Sequence, residues 1–169
     1  LVDLGSLQDQ DNRPDQARIS LEAAVGRAAA VDDPLVAADA GHGLAIVLAN
    51  RTSDPDDAVE ALSILAECRR GYASAGHPDR AVGCDHEAAA LLGRLGSWDA
   101  AAARYQRALD GYRGLPEPLR DTGSWPDEVA DCELNLAALD ADRGALAGDP
   151  RLFRSGGHTM SHEPPVTPP

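Results

Sequence analysis

The chain contains no lysine: all 15 of its basic residues are arginine, set against 28 acidic residues for a formal charge of −13. Without lysine the phosphate-cradling loop Gly-x-x-x-x-Gly-Lys-Ser/Thr cannot exist, which closes that route to nucleotide binding. The acidic balance repels phosphate backbones and argues against nucleic acid as a partner. Aromatic residues are scarce at 4%. A chain with few rings and abundant alanine favours long, closely approaching helices over a thick core, because alanine is the best helix former and buries little surface. The three cysteines, Cys68, Cys84 and Cys132, are an odd number and do not read as a disulfide framework. They point to a reducing compartment and hence to a cytoplasmic protein. No apolar run reaches the length of a membrane span, and no charged-then-apolar leader opens the chain, so no membrane partner is expected. Residue one is Leu1, which suggests processing or a fragment of something longer.

What the sequence does have is repetition. Aligned by Pro34 and Pro126, Ala38-Asp39 meets Ala130-Asp131, Leu44-Ala45 meets Leu136-Ala137, and Arg51 meets Arg143. Aligned by Pro78 and Pro126, Cys84, Ala89 and Gly96 fall on Cys132, Ala137 and Gly144. Each copy has helical rhythm. Trp98, Ala102, Tyr105, Leu109 and Tyr112 mark one apolar face, and Ala58, Leu62, Leu65, Cys68 and Tyr72 mark another. Prolines stand where helices open, since the missing amide would be unpaired there. Gly76, Gly96 and Gly144 are placed to close helices in the left-handed conformation. Helices are therefore expected at about 14–31, 34–51, 55–75, 78–95, 98–113 and 126–143, joined mostly by short connections that force neighbours to run antiparallel. A longer connection runs from Gly114 to Trp125. The acidic residues Asp15, Asp56, Asp57, Asp79, Asp99, Asp127 and Glu128 gather at helix starts, where solvated caps would complement the dipole.

The run Gly96-Ser97-Trp98-Asp99-Ala100-Ala101-Ala102-Ala103-Arg104-Tyr105-Gln106-Arg107-Ala108-Leu109 resembles the turn and second helix of a tetratricopeptide repeat (TPR). Gly96, Ala101, Tyr105 and Ala108 occupy the family's glycine, small, aromatic and small places. Glycine ends one helix, alanines let helices approach, and the aromatic fills the gap between repeats. Val129-Ala130 and Asn135-Leu136-Ala137 resemble the long-repeat, kinesin-light-chain-like variety, and the copies begin farther apart than the usual unit of about 34 residues. The lysine-free, Ala/Arg/Asp-rich usage resembles that of high-GC bacteria. The resemblance implies an all-α, right-handed α-solenoid of antiparallel helix pairs, about six helices in all. It divides residues 1–147 into a partial repeat 1–31, repeats 34–75 and 78–113, and a partial repeat 126–147, with a Gly/Pro-rich disordered tail at 148–169.

The function this implies is a non-catalytic scaffold that binds a protein or peptide in a concave groove lined by the first helices. In the family an asparagine in the first helix hydrogen-bonds a peptide backbone, and Asn135 stands at that position; Glu87 and Gly43 take its place in the other copies, with His86 and Asp131 nearby. His86, Glu87, Asp131 and Asn135 are thus the groove candidates. The chain's acidity suits a basic, arginine-bearing partner segment, since complementary charge speeds encounter. The alternative is a sensor or regulatory region of a larger enzyme or transcription regulator whose catalytic or DNA-binding domain lies upstream. A helical enzyme using His86 and Glu87 is a further option. There is no Gly-x-Ser-x-Gly elbow, Cys-x-x-Cys or His-Glu-x-x-His, so no catalytic residue, metal or cofactor is assigned. Cys84 and His86 point in different directions on one helix, and His158 and His162 belong to the tail. Ala101, Tyr105, Ala108, Leu109, Leu136 and Leu139 are the expected core.

Overall fold

The structure, a computed structural model, describes residues 14–30, 33–51, 55–120 and 125–148. The helices are α1 (Pro14–Ala28), α2 (Pro34–Asn50), α3 (Pro55–Ser74), α4 (Pro78–Arg94), α5 (Trp98–Arg113), the single turn α6 (Glu117–Arg120) and α7 (Trp125–Gly148). No strand occurs among the described residues. Each long helix packs chiefly on its neighbours in chain order, with α7 resting on α5. That is the arrangement of a stack rather than of a bundle, in which first and last helices would meet.

Local chemistry explains the boundaries. Pro34 and Pro78 stand in the first turns of α2 and α4, and the Asp33 side chain caps α2 by accepting from the amides of Leu35 and Val36. Gly76 and Gly96 follow α3 and α4 with φ of 79° and 72°, the left-handed conformation expected of them. The amides of His77 and Ser97 then reach back to the carbonyls of Tyr72 and Leu92, closing the turn. Gly144 behaves differently: α7 runs through it to Gly148, so it is not the stop that Gly96 is at the matching place of the second copy. With only residues 75–77 and 95–97 between α3, α4 and α5, successive helices reverse direction.

Two glycines set how closely helices pair. A methyl group on Gly71 of α3 would come within 3.0 Å of Ala38 Cβ in α2, and one on Gly111 of α5 within 2.6 Å of Val82 Cγ2 in α4. Superimposing the copies by Pro34 and Pro78, and by Tyr72 and Tyr112, puts Ala38 on Val82 and Gly71 on Gly111. The pairs α2/α3 and α4/α5 are therefore built on the same close crossing, which identifies them as one unit used twice.

The core is mostly alanine and leucine, arranged in successive clusters from α1 to α7. Leu21, Leu48, Ala61 and Leu91 are buried together, as are Leu65, Cys68, Tyr72, Cys84 and Ala88, and then Tyr105, Ala108, Leu109, Tyr112, Cys132 and Leu139. Of the expected core residues only Leu136 is incompletely buried, because it sits on the flank of α7 rather than on its inner stripe. Two acids at helix starts or in mid-helix also lie inside. Asp57, read from sequence as a solvated cap, is 6% exposed: it accepts from Arg18 Nη1 of α1 at 2.6 Å and from Arg51 Nε, just past α2, at 3.1 Å. Asp85 of α4 is 2% exposed and accepts from Arg69 Nε of α3 and Arg104 Nη1 of α5, both at 2.7 Å. Carboxylates this deep require charged partners, and here each joins helices that alanine contacts alone would hold weakly. The segments 1–13 and 149–169, including the expected partial first helix, the tail and its histidines, lie outside the described residues.

Candidate functional site

The face formed by the first helices of each pair, α2 and α4, and by α7 carries a repeated polar contact. His42 of α2 and His86 of α4 occupy the same position in their copies, as alignment by Pro34 and Pro78 shows. Each imidazole meets a tyrosine of its own pair edge-on: His42 and Tyr72 have ring centroids 6.1 Å apart at 77°, His86 and Tyr112 6.3 Å apart at 89°. Each then bonds a carboxylate on the next first-type helix. His42 Nε2 lies 2.7 Å from Glu87 Oε2 in α4, and His86 Nδ1 lies 2.9 Å from Glu128 Oε2 in α7. An ionised carboxylate only accepts, so the facing ring nitrogen is the donor in both bridges. His86 also packs against Tyr105 at 5.6 Å.

A second network lies beside the first bridge. Tyr72 Oη donates to Asp39 Oδ1 at 3.0 Å, and Arg80 Nη1 of α4 approaches the same oxygen at 2.6 Å while its guanidinium stacks 4.5 Å from the Tyr72 ring centroid. Burial, with the bond to Asp39, raises the Tyr72 hydroxyl above its ordinary range, so it stays a donor. Burial similarly raises Tyr105 and Tyr112. Further along the face, Arg94 Nη2 donates to the Ala49 carbonyl at 3.0 Å, bonding α4 to the end of α2.

The four sequence-derived groove residues are accordingly divided. His86 and Glu87, adjacent in sequence, turn to opposite neighbours: His86 forward to α7 and Glu87 back to α2. They do not form a joint catalytic pair. Asn135 Nδ2 donates to the Asp131 carbonyl one turn earlier at 2.8 Å, so part of its hydrogen-bonding capacity is spent within its own helix. The Asp131 side chain is exposed. Asn135 nonetheless lines a cleft of 380 Å³ between α4, α5 and α7, with Arg94 and Ala90 on one side, Trp98 and Tyr105 at the base, and Ala138 and Leu139 opposite.

His42 is the residue that sequence reasoning missed. Its signal was available, since alignment by Pro34 and Pro78 places His42 on His86. The missing element was its acid partner, which comes from another copy.

Among the described residues no group of three or more His, Cys, Asp or Glu is gathered for a metal ion, and no buried side-chain nitrogen or oxygen lacks a partner. The buried thiols are pushed up by desolvation, Cys68 and Cys84 to about 12 and Cys132 to about 11, so at neutral pH they are protonated and poor nucleophiles. No described helix is long and apolar enough to cross a membrane. Compared with protein-family models, with curated proteins and with solved structures, the chain gives no match.

Proposed function

We propose that the chain is a non-catalytic, TPR-like scaffold that binds a protein or peptide segment along the face of α2, α4 and α7. The observation that carries this reading is the cleft between α4, α5 and α7. It combines two aromatic rings, Trp98 and Tyr105, with a guanidinium, Arg94, and an amide, Asn135. Rings give contact area at little conformational cost, and the polar groups at the rim orient a backbone, the composition typical of peptide-recognition pockets. The chain's formal charge of −13 favours a segment with basic side chains. Three reduced, buried cysteines fit a cytoplasmic setting.

The test is selection of peptides from a random display library on the full-length chain, followed by calorimetry of the winners. Trp98→Ala and Asn135→Ala are expected to weaken the selected peptides by about tenfold or more, in line with loss of a central aromatic anchor or a desolvated hydrogen bond. Winners that bind both variants as well as the parent would dismiss the cleft as the site.

A further inference from the structure

Two further clefts lie at equivalent places in successive helix pairs and have contrasting chemistry. Between α1, α2 and α3 the cleft is 380 Å³ and apolar, with Val25, Ala37, Gly41, Leu44 and Ile64 in its walls. One pair later, between α3, α4 and α5, a cleft of 480 Å³ is lined by Arg69, Val82, Asp85, Arg107 and Asp110. Alignment by Pro34 and Pro78 puts Gly41 on Asp85; alignment by Tyr72 and Tyr112 puts Ile64 on Arg104 and Glu67 on Arg107. The same helix crossing is therefore made once with glycine and isoleucine and once with a buried carboxylate and arginines. The α2/α3 pair makes its crossing without ions, and buried ion pairs are generally no more stabilising than apolar residues of similar size.

The arginines around Asp85 are unequally committed to it. Asp85 satisfies Arg69 and Arg104 with short hydrogen bonds, whereas Arg107 stands 3.5 Å from Asp85 Oδ1, beyond a well-formed bond, with 54% of its side chain exposed. Asp110, the other acid in the wall, receives Gln106 Nε2 at 2.9 Å. Arg69 and Arg107 thus share the cleft wall with Asp85 and Asp110, while Arg104 of α5 holds Asp85 without lining the cleft. At physiological ionic strength charges beyond about 8 Å are screened, so the groups in the wall govern a ligand in contact.

We propose that this cleft receives an acidic side chain of a partner polypeptide, an Asp or Glu carboxylate bound by Arg107 with Arg69 beside it. Guanidinium and carboxylate are matched planar forks, and Arg107 is the member of the cluster whose donors are least committed to Asp85. The site is separate from the α4, α5 and α7 cleft and shares none of its lining residues.

The test titrates the full chain with hexaglutamate blocked at both ends, with hexaglutamine and with inorganic phosphate, following the arginine Nε–H signals by NMR and affinity by calorimetry. Hexaglutamate is expected to shift Arg107 and Arg69 saturably while hexaglutamine leaves them unmoved. Arg107→Ala should weaken hexaglutamate roughly ten- to hundredfold, and Arg27→Ala on α1 should not. Asp85→Asn, which removes the internal competitor, should tighten it; a purely structural cluster would give no gain. Arg107 is exposed enough for Arg107→Ala to fold, so its result stands even where Asp85→Asn is unstable. Unchanged affinity in Arg107→Ala, equal binding of hexaglutamine, or saturation by phosphate more tightly than by hexaglutamate would each overturn the proposal. Trp98→Ala, which tests the other cleft, should leave hexaglutamate binding intact, so the two readings fail independently.

Discussion

At the level of single residues, glycines with the same sequence appearance have opposite roles. Gly111 meets Val82 so closely that an added methyl must displace it, whereas a methyl on Gly83 in α4 would meet nothing within 4 Å. Gly111→Ala should destabilise, because overpacking costs about 1–3 kcal/mol and outweighs a helix-propensity gain of about 1 kcal/mol. Gly83→Ala should stabilise by up to that gain of about 1 kcal/mol. Urea denaturation checks both, and the same sign for the two would mean the α4/α5 crossing is misplaced. The cysteines give a chemical counterpart. In the native protein Cys68, Cys84 and Cys132 should resist a thiol reagent at pH 8 and react promptly once unfolded. Their raised thiol values also fix a direction with pH. The unfolded thiols ionise near 9, the folded ones at about 12 for Cys68 and Cys84, so above pH 9 the unfolded state binds fewer protons. Stability from this source is complete below pH 9 and declines as pH rises from 9 towards 12, which thermal melts across that range would register.

Elements were legible in the sequence to the extent that they depend on local signals. Proline starts, the apolar stripe of α5 and the stops at Gly76 and Gly96 could be read directly, because a cap or a left-handed turn involves only a few adjacent residues. Gly144 could not: whether a glycine stops a helix depends on the residues after it, and α7 continues to Gly148. Nor could Asp57, since an acid in the first turn looks the same whether it faces water or two arginines from other helices. The bonds of His86 and Glu87 were hidden for the same reason. His86 and Glu87 were rightly noticed as polar residues on a first helix, but their bonds run to different helices and make two joints rather than one site. These tertiary bonds should be measurable. Asp57→Ala removes hydrogen bonds linking α1, the end of α2 and α3, and is expected to cost about 1.5–3 kcal/mol. Leu65→Ala, at a position 1% exposed, should cost about 2–5 kcal/mol, more than Leu136→Ala on the flank of α7. Denaturation midpoints would rank the three.

For the whole molecule, packing limited to chain neighbours makes stability depend on position in the stack. Among the described helices an inner one is supported on two sides and an outer one on fewer, so opening begins at the outer ones. Amide hydrogen exchange is expected to be slowest in α3, α4 and α5 and fastest in α1 and α7. Uniform exchange, with all helices released together, would show instead that the chain unfolds as one cooperative body.

The glycine crossings add a mechanical consequence. Within α2/α3 and α4/α5 the backbones are locked at methyl distance, while the first helices of successive pairs are bridged by half-exposed imidazole–carboxylate bonds and by Arg94 on the Ala49 carbonyl. Stiff links thus alternate with compliant ones along the chain. Under load the molecule should behave as a jointed spring, lengthening where histidine meets glutamate before any helix pair comes apart.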